Sequence, residues 1–134
     1  MEIKRNESTE LRPKGDRIVN APVVHIDIPE FLKQIKKEPA WENSDRNAIT
    51  VFKSDEIRIV LTALHKNAVI DEHTANGLIS VQVLEGKINF ETLGNTYPLE
   101  KGELITLHRN IPHKVIAVKE SVFLLSVAGF KDNG

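Results

Sequence analysis

The alternation of apolar and polar residues predicts most of the structure of this chain. From Ala48 onward, short runs rich in Val, Ile, Leu and Thr are separated by turn signals at close, fairly regular intervals. The runs are ITVFK, IRIVLTALH, AVIDEH, LISVQVLEG, KINFETL, TYPLE, GELITLH, HKVIAV and SVFLLSVA. Short strands in this number suit a closed barrel or a double-sheet jelly roll, because one open sheet would leave unpaired edges exposed. We therefore predict an all-β fold.

The N-terminal part of the chain has a different pattern. Residues 1–16 carry many charges and no periodicity, so we expect a flexible arm, or an arm that is ordered by exchanging a strand with a neighbour. The segment that follows, RIVNAPVVH, is expected to be extended and to lie at a sheet edge, because Pro22 cannot donate to a ladder. We predict one barrel domain over residues 17–130 and a short tail over 131–134.

One short helix is predicted before the strands, over about residues 28–37. Asp27 can cap it, Pro29 fits its first turn, and Glu30 stands three residues after the cap. Trp41 lies beyond the predicted helix, in a loop, where we expect it to plug one end of the barrel.

Composition and charge exclude several kinds of function. A chain of 134 residues is the size of one domain. It has no cysteine, so any metal would need histidine and carboxylate ligands. The net charge is −1 without a basic cluster, and no apolar run approaches the roughly 20 residues that cross a bilayer. We therefore expect a cytoplasmic protein that binds neither nucleic acid nor membrane.

Strand periodicity also predicts which side chains share the interior. Ile79 and Val81 alternate with polar neighbours and are expected to point inward. The apolar positions of IRIVLTALH put His65 in phase with an inward set, and His113 is in phase with the apolar residues of HKVIAV. His73, at the end of AVIDEH, is placed with them. Three of the five histidines can thus converge in one pocket.

Two segments resemble the motifs of the cupin superfamily of small β-barrels. The first cupin motif runs glycine, five residues, His-x-His, three or four residues, Glu, six residues, glycine. Its closing glycine matches Gly86 in VLEGKI, and its first histidine matches His73. The second motif matches Gly102 and His113 in GELITLHRNIPH, with its spacing intact. The resemblance covers roughly residues 48–128 and implies a double-stranded β-helix, the cupin jelly roll.

The resemblance also implies a metal site, but half of its ligands are replaced. In cupins, three histidines and one glutamate bind iron, manganese, zinc or nickel. Here Ala75 stands at the second histidine and Ile79 at the glutamate, while His73 and His113 remain. Without the carboxylate, nothing offsets the charge of an ion, so we expect no tightly held cofactor. Weak binding of Zn, Ni, Fe or Mn by His73, His113 and His65 stays open.

Three functions are compatible with these residues, and whether the protein is an enzyme stays open. The first is binding of a small molecule in the barrel, in a pocket formed by His65, His73, Ala75, Ile79, Val81 and His113. The alternative is a metal-dependent dioxygenase or isomerase with a rearranged three-histidine site. A third is metal-free acid–base chemistry, with His73 or His113 as the base and Tyr97 as an acid. No catalytic residue is assigned.

The expected partners are a small molecule and a second copy of the chain. Small cupins commonly pair through sheet edges and exchange N-terminal strands, and the arm before residue 17 could do the same. We therefore expect a homodimer.

Overall fold

The fold is given by a computed structural model that describes residues 3–10 and 15–129. In this part of the chain, eleven strands and two helices follow one another in sequence. They are β1 (Lys4–Asn6), β2 (Arg17–Asn20), α1 (Ile28–Ile35), α2 (Pro39–Glu42), β3 (Arg46–Lys53), β4 (Ile57–Leu64), β5 (Val69–His73), β6 (Leu78–Glu85), β7 (Lys87–Thr92), β8 (Asn95–Glu100), β9 (Leu104–Leu107), β10 (His113–Ala117) and β11 (Ser121–Ala128).

Two antiparallel sheets form the body of the protein. The five-stranded sheet has the order β3-β4-β11-β6-β9, and the four-stranded sheet has the order β5-β10-β7-β8. All nine strands predicted after residue 48 are present, and the all-β jelly-roll fold is confirmed. The sheets face each other as separate layers and do not join into one closed ladder.

Apolar side chains from both sheets fill the space between them. This interior cluster consists of Leu64, Ala68, Ile79, Val81, Val83, Ile88, Phe90, Leu99, Val115, Ala117 and Phe123. Burying one Val, Leu, Ile or Phe side chain contributes about 1.5–3 kcal/mol relative to leaving it exposed. The inward orientation predicted for Ile79 and Val81 is therefore confirmed, because both belong to this cluster.

A second cluster lies on the opposite face of the five-stranded sheet, where the two helices cover it. This outer cluster consists of Ile35, Trp41, Ile49, Val51, Leu61, Ala63 and Val122. Trp41 lies in the short helix α2 and not in a loop, so the loop predicted for this position is wrong. Because Trp41 packs on the outer face, it does not plug an end of the barrel.

Helix α1 begins as the sequence predicts. The Asp27 side chain accepts a hydrogen bond from the Glu30 backbone N–H at 3.2 Å, which caps the first turn. The helix ends at Ile35, two residues before the predicted end. Lys36 follows it and ties the helix to the sheets, with Nζ 2.7 Å from Glu85 and 3.1 Å from Glu120.

The N-terminal strand β1 pairs with β2 of the same chain, which forms a small separate sheet. Whether this arm exchanges with a second copy stays a prediction. The tail predicted over residues 131–134 lies outside the described residues. Neither helix in the described ranges has the length and apolar character that a membrane crossing requires.

Candidate functional site

Three chain segments meet at one end of the two-sheet body, which we call the rim. The rim is defined as residues 73–77 from the last residue of β5 onward, residues 108–113 up to the first residue of β10, and residues 127–129 at the end of β11. The Asn110 backbone N–H donates to the Ala75 carbonyl oxygen at 2.9 Å and joins the first two segments. The closing segments of the interior therefore carry both histidines that match the cupin motifs.

His73 and His113 lie side by side at the rim. They are directly opposite each other across the β5–β10 ladder, with ring centroids 4.3 Å apart and an angle of 57° between the rings. His113 is 5% exposed, whereas His73 is exposed to solvent. The predicted convergence of these two histidines is therefore found in the structure.

A β-bulge in β5 brings His73 to this position. Val115 is paired with Ile70, and His113 is paired with His73, so Asp71 and Glu72 together stand opposite one residue of β10. Strict alternation would place Ile70 and His73 on opposite faces of the sheet. The extra residue turns His73 to the face on which Ile70 packs against the interior cluster.

Hydrogen bonds to the main chain hold both imidazole rings. His73 Nδ1 lies 2.9 Å from the Asp71 carbonyl oxygen, and His113 Nδ1 lies 3.0 Å from the Ile111 carbonyl oxygen. A carbonyl oxygen only accepts, so each Nδ1 carries the hydrogen and donates it while the ring is neutral. Each Nε2 then keeps its lone pair, and neither Nε2 has a hydrogen-bond partner among the residues that the structure describes.

Two residues that the sequence interpretation missed position His113. Phe90 stacks on the imidazole ring of His113, with centroids 5.4 Å apart and an angle of 8°. The Thr92 hydroxyl donates to the Pro112 carbonyl oxygen at 2.8 Å and fixes the turn before His113. The alternation in KINFETL carries the signal for both, because Ile88, Phe90 and Thr92 fall on one face.

The environment of His113 favours its neutral form. Burial lowers the pKa of His113 below its ordinary value, and the nearby His73 lowers it further. The hydrogen bond to the Ile111 carbonyl acts in the opposite direction but does not outweigh burial. At neutral pH the buried imidazole is therefore an acceptor of hydrogen bonds.

His65 does not join the other two histidines, which corrects the three-histidine prediction. Its ring stacks on Trp41, with centroids 3.5 Å apart and an angle of 14°, and its Nε2 lies 2.9 Å from the Trp41 carbonyl oxygen. The apolar positions in phase with it, among them Leu61 and Ala63, belong to the outer cluster. The strand is therefore apolar on that side because the helices cover it, and not because it lines the interior.

The remaining predicted pocket residues are apolar. Ala75 packs against the interior cluster, Ile79 is 4% exposed, and Val81 is 2% exposed. Within residues 3–10 and 15–129, no three side chains of histidine, aspartate or glutamate are grouped so that they could hold a metal ion. The imidazoles of His73 and His113, with the hydrocarbon side chain of Ile79 beside them, do not fit the four-ligand set that the cupin resemblance implies.

Tyr97, the acid considered for metal-free chemistry, lies on edge strand β8. It stands opposite Phe90 in the β7–β8 ladder and is 42% exposed. His113 is opposite Thr92, two residues along β7 from Phe90. Strand β7 therefore lies between the strand of Tyr97 and the strand of His113.

A cleft of about 520 Å³ lies mainly on the outer face of the five-stranded sheet, beside the part that the helices cover. Its walls are formed by Ile57, Leu78, Ile79, Ser80, Thr106, Leu107, His108, Ser126 and Ala128. Of the predicted pocket residues, only Ile79 contributes to it. This cleft is distinct from the histidine pair.

Comparison with known proteins identifies the family through structure alone. No protein-family model and no curated protein matches the sequence. An RmlC-like cupin from Desulfovibrio desulfuricans is 25% identical, with a TM-score of 0.59 over 64% of this chain and 84% of that one. The chain belongs to the cupin superfamily. Its resemblance to the cupin motifs is thus confirmed.

Two further structures are similar to this cupin. A conserved protein of unknown function from Streptococcus pyogenes, SPY1581, is 25% identical, with a TM-score of 0.61 over 65% of this chain and 76% of that one. A cupin-2 domain protein from Shewanella frigidimarina has a TM-score of 0.63 over 78% of this chain and 94% of that one. The second protein is only 13% identical and shows the fold alone.

Proposed function

We propose that this cupin domain binds a small organic molecule at the rim, with His73 and His113 as hydrogen-bond acceptors for its polar end. The observation that carries the proposal is the pair of main-chain hydrogen bonds to Nδ1. They leave two adjacent Nε2 lone pairs at the same end of an apolar interior. A ligand hydroxyl can donate to one of these nitrogens, and an amino group or a second hydroxyl can supply the hydrogen for the other.

The packing around the pair supports binding of a molecule that is partly apolar. Phe90 forms one wall against His113, and the interior cluster continues below it through Ile79 and Val115. Ligand sites commonly combine such apolar walls with a few polar groups that fix orientation. The neutral state of His113 fits the same role, since a charged imidazole could not accept a hydrogen bond at Nε2.

The metal-dependent alternative lacks support from the geometry. It requires His65 as a third nitrogen ligand, but that ring is stacked on Trp41 and bonded to its main chain. Moving His65 to the rim would break both contacts. The described residues therefore offer no three-histidine site for a metal-dependent reaction.

A ligand screen tests the proposal directly. Ligand-observed NMR with a library of small polar and mixed molecules should find compounds that bind, and the double variant H73F/H113F should weaken them. Loss of two neutral hydrogen bonds is worth about 1–3 kcal/mol, which corresponds to a roughly fivefold to hundredfold weaker Kd. The matched control is His108→Gln, because His108 is exposed beside the outer cleft.

Two outcomes contradict the proposal. One is a library in which no compound binds to the wild-type protein. The other is a set of compounds whose affinities are unchanged in H73F/H113F, while that variant keeps its fold by circular dichroism.

The homodimer remains a separate proposal. Support comes from open sheet edges, since β8 and β9 each lie at the end of their sheet order. Light scattering at micromolar concentration should give twice the chain mass of 15.1 kDa, and a value equal to the chain mass would reject the dimer.

A further inference from the structure

Arg109 is a half-buried cation at the rim that the proposed hydrogen-bond pair does not use. It lies in the turn after β9, two residues beyond Leu107, which packs against the interior cluster together with Ile105. His108, with the opposite phase, lines the outer cleft instead. Arg109 itself is not among the residues of that cleft. Its guanidinium, bonded to Gly129, therefore lies at the rim and apart from that cleft.

The guanidinium of Arg109 is incompletely bonded. One Nη2 hydrogen is donated to the Gly129 carbonyl oxygen, across the end of strand β6. The Nε atom is buried and has no hydrogen-bond partner within residues 3–10 and 15–129. Among the described residues, no carboxylate forms a salt bridge with Arg109. Leaving a buried charged donor unpaired is costly, which indicates a partner that is absent from the described residues.

Arg109 is close in sequence to His113, and a main-chain hydrogen bond links its segment to that of His73. It lies four residues before His113, and its neighbour Asn110 donates to Ala75, two residues after His73. Arg109 and His113 thus belong to the same β9–β10 connection, whose Ile111 carbonyl also holds the His113 ring.

A second arginine, Arg58, lies near the same end of the five-stranded sheet. Arg58 stands opposite Val127 in the β4–β11 ladder, and Val127 stands opposite Ile79 in the β11–β6 ladder. Directly opposite residues share one face of a sheet, so Arg58 is on the interior side with Ile79. The nearby acidic side chain of Glu72 instead lines a cleft with Glu91 and Lys114, outside the interior. Arg58 and Arg109 therefore both carry a positive charge at this end of the five-stranded sheet.

We infer that the ligand of the rim is a small hydroxylated carboxylate, whose carboxylate is bound by Arg109 and whose hydroxyl donates to Nε2 of one imidazole of the histidine pair. This inference rests on the proposed function and adds the chemical class of the ligand. A guanidinium can donate two parallel N–H bonds to one carboxylate, which would satisfy the buried Nε. The Nε2 lone pair of His113 needs a donor, and the hydroxyl supplies it.

Matched acids and amides test the inference. Calorimetry should use a panel of small hydroxy acids, each beside its own amide and its own analogue without the hydroxyl. Mandelate, mandelamide and phenylacetate form the first set, and α-hydroxybenzylphosphonate tests a phosphonate in place of the carboxylate. In the wild-type protein, hydroxy acids should bind at least about tenfold more tightly than their amides. The variant R109Q should remove this difference, chiefly by weakening the binding of the acids.

Control variants separate the role of Arg109 from general charge. Lys101→Gln removes one positive charge on an exposed turn outside the rim, and it should keep the preference for acids. Arg109→Lys keeps the charge without the planar fork and should retain only part of the preference. Asp132→Asn tests whether a carboxylate of the chain itself is the partner of Arg109. If a preference for acids appears only in this variant, Asp132 is that partner and the inference is overturned.

The results that would overturn this inference differ from those that would contradict the proposed function. Equal affinities for acids and amides, tighter binding of the phosphonate than of its carboxylate, or an acid preference that persists in R109Q would each overturn the inference. If neutral compounds from the library still depend on His73 and His113, the proposed function stands without it. If nothing binds to the wild-type protein, both fail.

Discussion

Restoring the two missing motif residues tests the electrostatic reasoning about the rim most directly. The double variant A75H/I79E replaces a methyl by an imidazole and a branched hydrocarbon by a carboxylate. Ile79 is 4% exposed and stands between Leu107 and Val127 in the five-stranded sheet. The new carboxylate therefore enters an apolar row, where an ion held with the histidines would offset its charge.

The expected loss of stability without metal is large. Removing the buried Ile79 side chain costs about 1.5–3 kcal/mol. An uncompensated buried charge costs about 3–5 kcal/mol more, less whatever protonation of the carboxyl relieves. The sum, on the order of 5–8 kcal/mol, is comparable with the whole stability of an ordinary domain, which is about 5–15 kcal/mol. A metal present at about 100 times its Kd returns about 2.7 kcal/mol.

Thermal unfolding of chelator-treated protein with and without Zn²⁺ measures both effects. A75H/I79E should melt far below the wild-type protein, and Zn²⁺ should raise its Tm by roughly 10 °C. The matched variant A75H/I79Q has the same shape without the charge and should respond much less. Equal stabilisation of the wild-type protein by Zn²⁺ would refute the reasoning, because two imidazoles would then suffice. So would a folded A75H/I79E that does not respond.

Three further predictions concern His113, Gly86 and His65. Because burial lowers the pKa of folded His113 below 6.5, the unfolded chain binds more protons in the interval between the two values. The free energy of unfolding should therefore rise with pH across this interval, and urea titrations should show a flatter profile for His113→Phe. Gly86→Ala should lower stability by about 3 kcal/mol or more in the same assay, since Gly86 has φ +81° and a Cβ there would lie 2.2 Å from the Glu120 carbonyl oxygen. His65→Ala should cost about 1–3 kcal/mol through loss of the Trp41 stack, with no change in ligand Kd.

The strands and the first helix could be predicted because their signals are local. Each strand after residue 48 carries its own alternation and its own turn residues, and Asp27 marks the start of α1 by its own side chain. Helix α2 could not be predicted in this way. It has only four residues, and Trp41 packs into the outer cluster, a contact that depends on elements distant in sequence.

The sequence pattern predicts the wrong face of β4 as the interior one, because apolar residues lie on both faces of this strand. Its odd positions, including Leu61, face the helices, whereas Leu64 belongs to the interior cluster. Periodicity identifies an apolar face but not what covers it. Only knowledge that α1 and α2 lie on this sheet would have placed His65 outside the pocket.

The bulge at Asp71 and Glu72 explains why motif spacing placed His73 more reliably than alternation did. Alternation assumes one residue per step of the ladder, and it fails where two residues oppose one. Motif spacing is unaffected, because the count along the chain from Gly86 back to His73 does not cross the bulge. Two consecutive acidic residues before a histidine at the end of an apolar run are poorly suited to a regular half-buried strand. That local conflict is the sequence signal for the bulge, and the bulge is what aligns the two imidazoles at the rim.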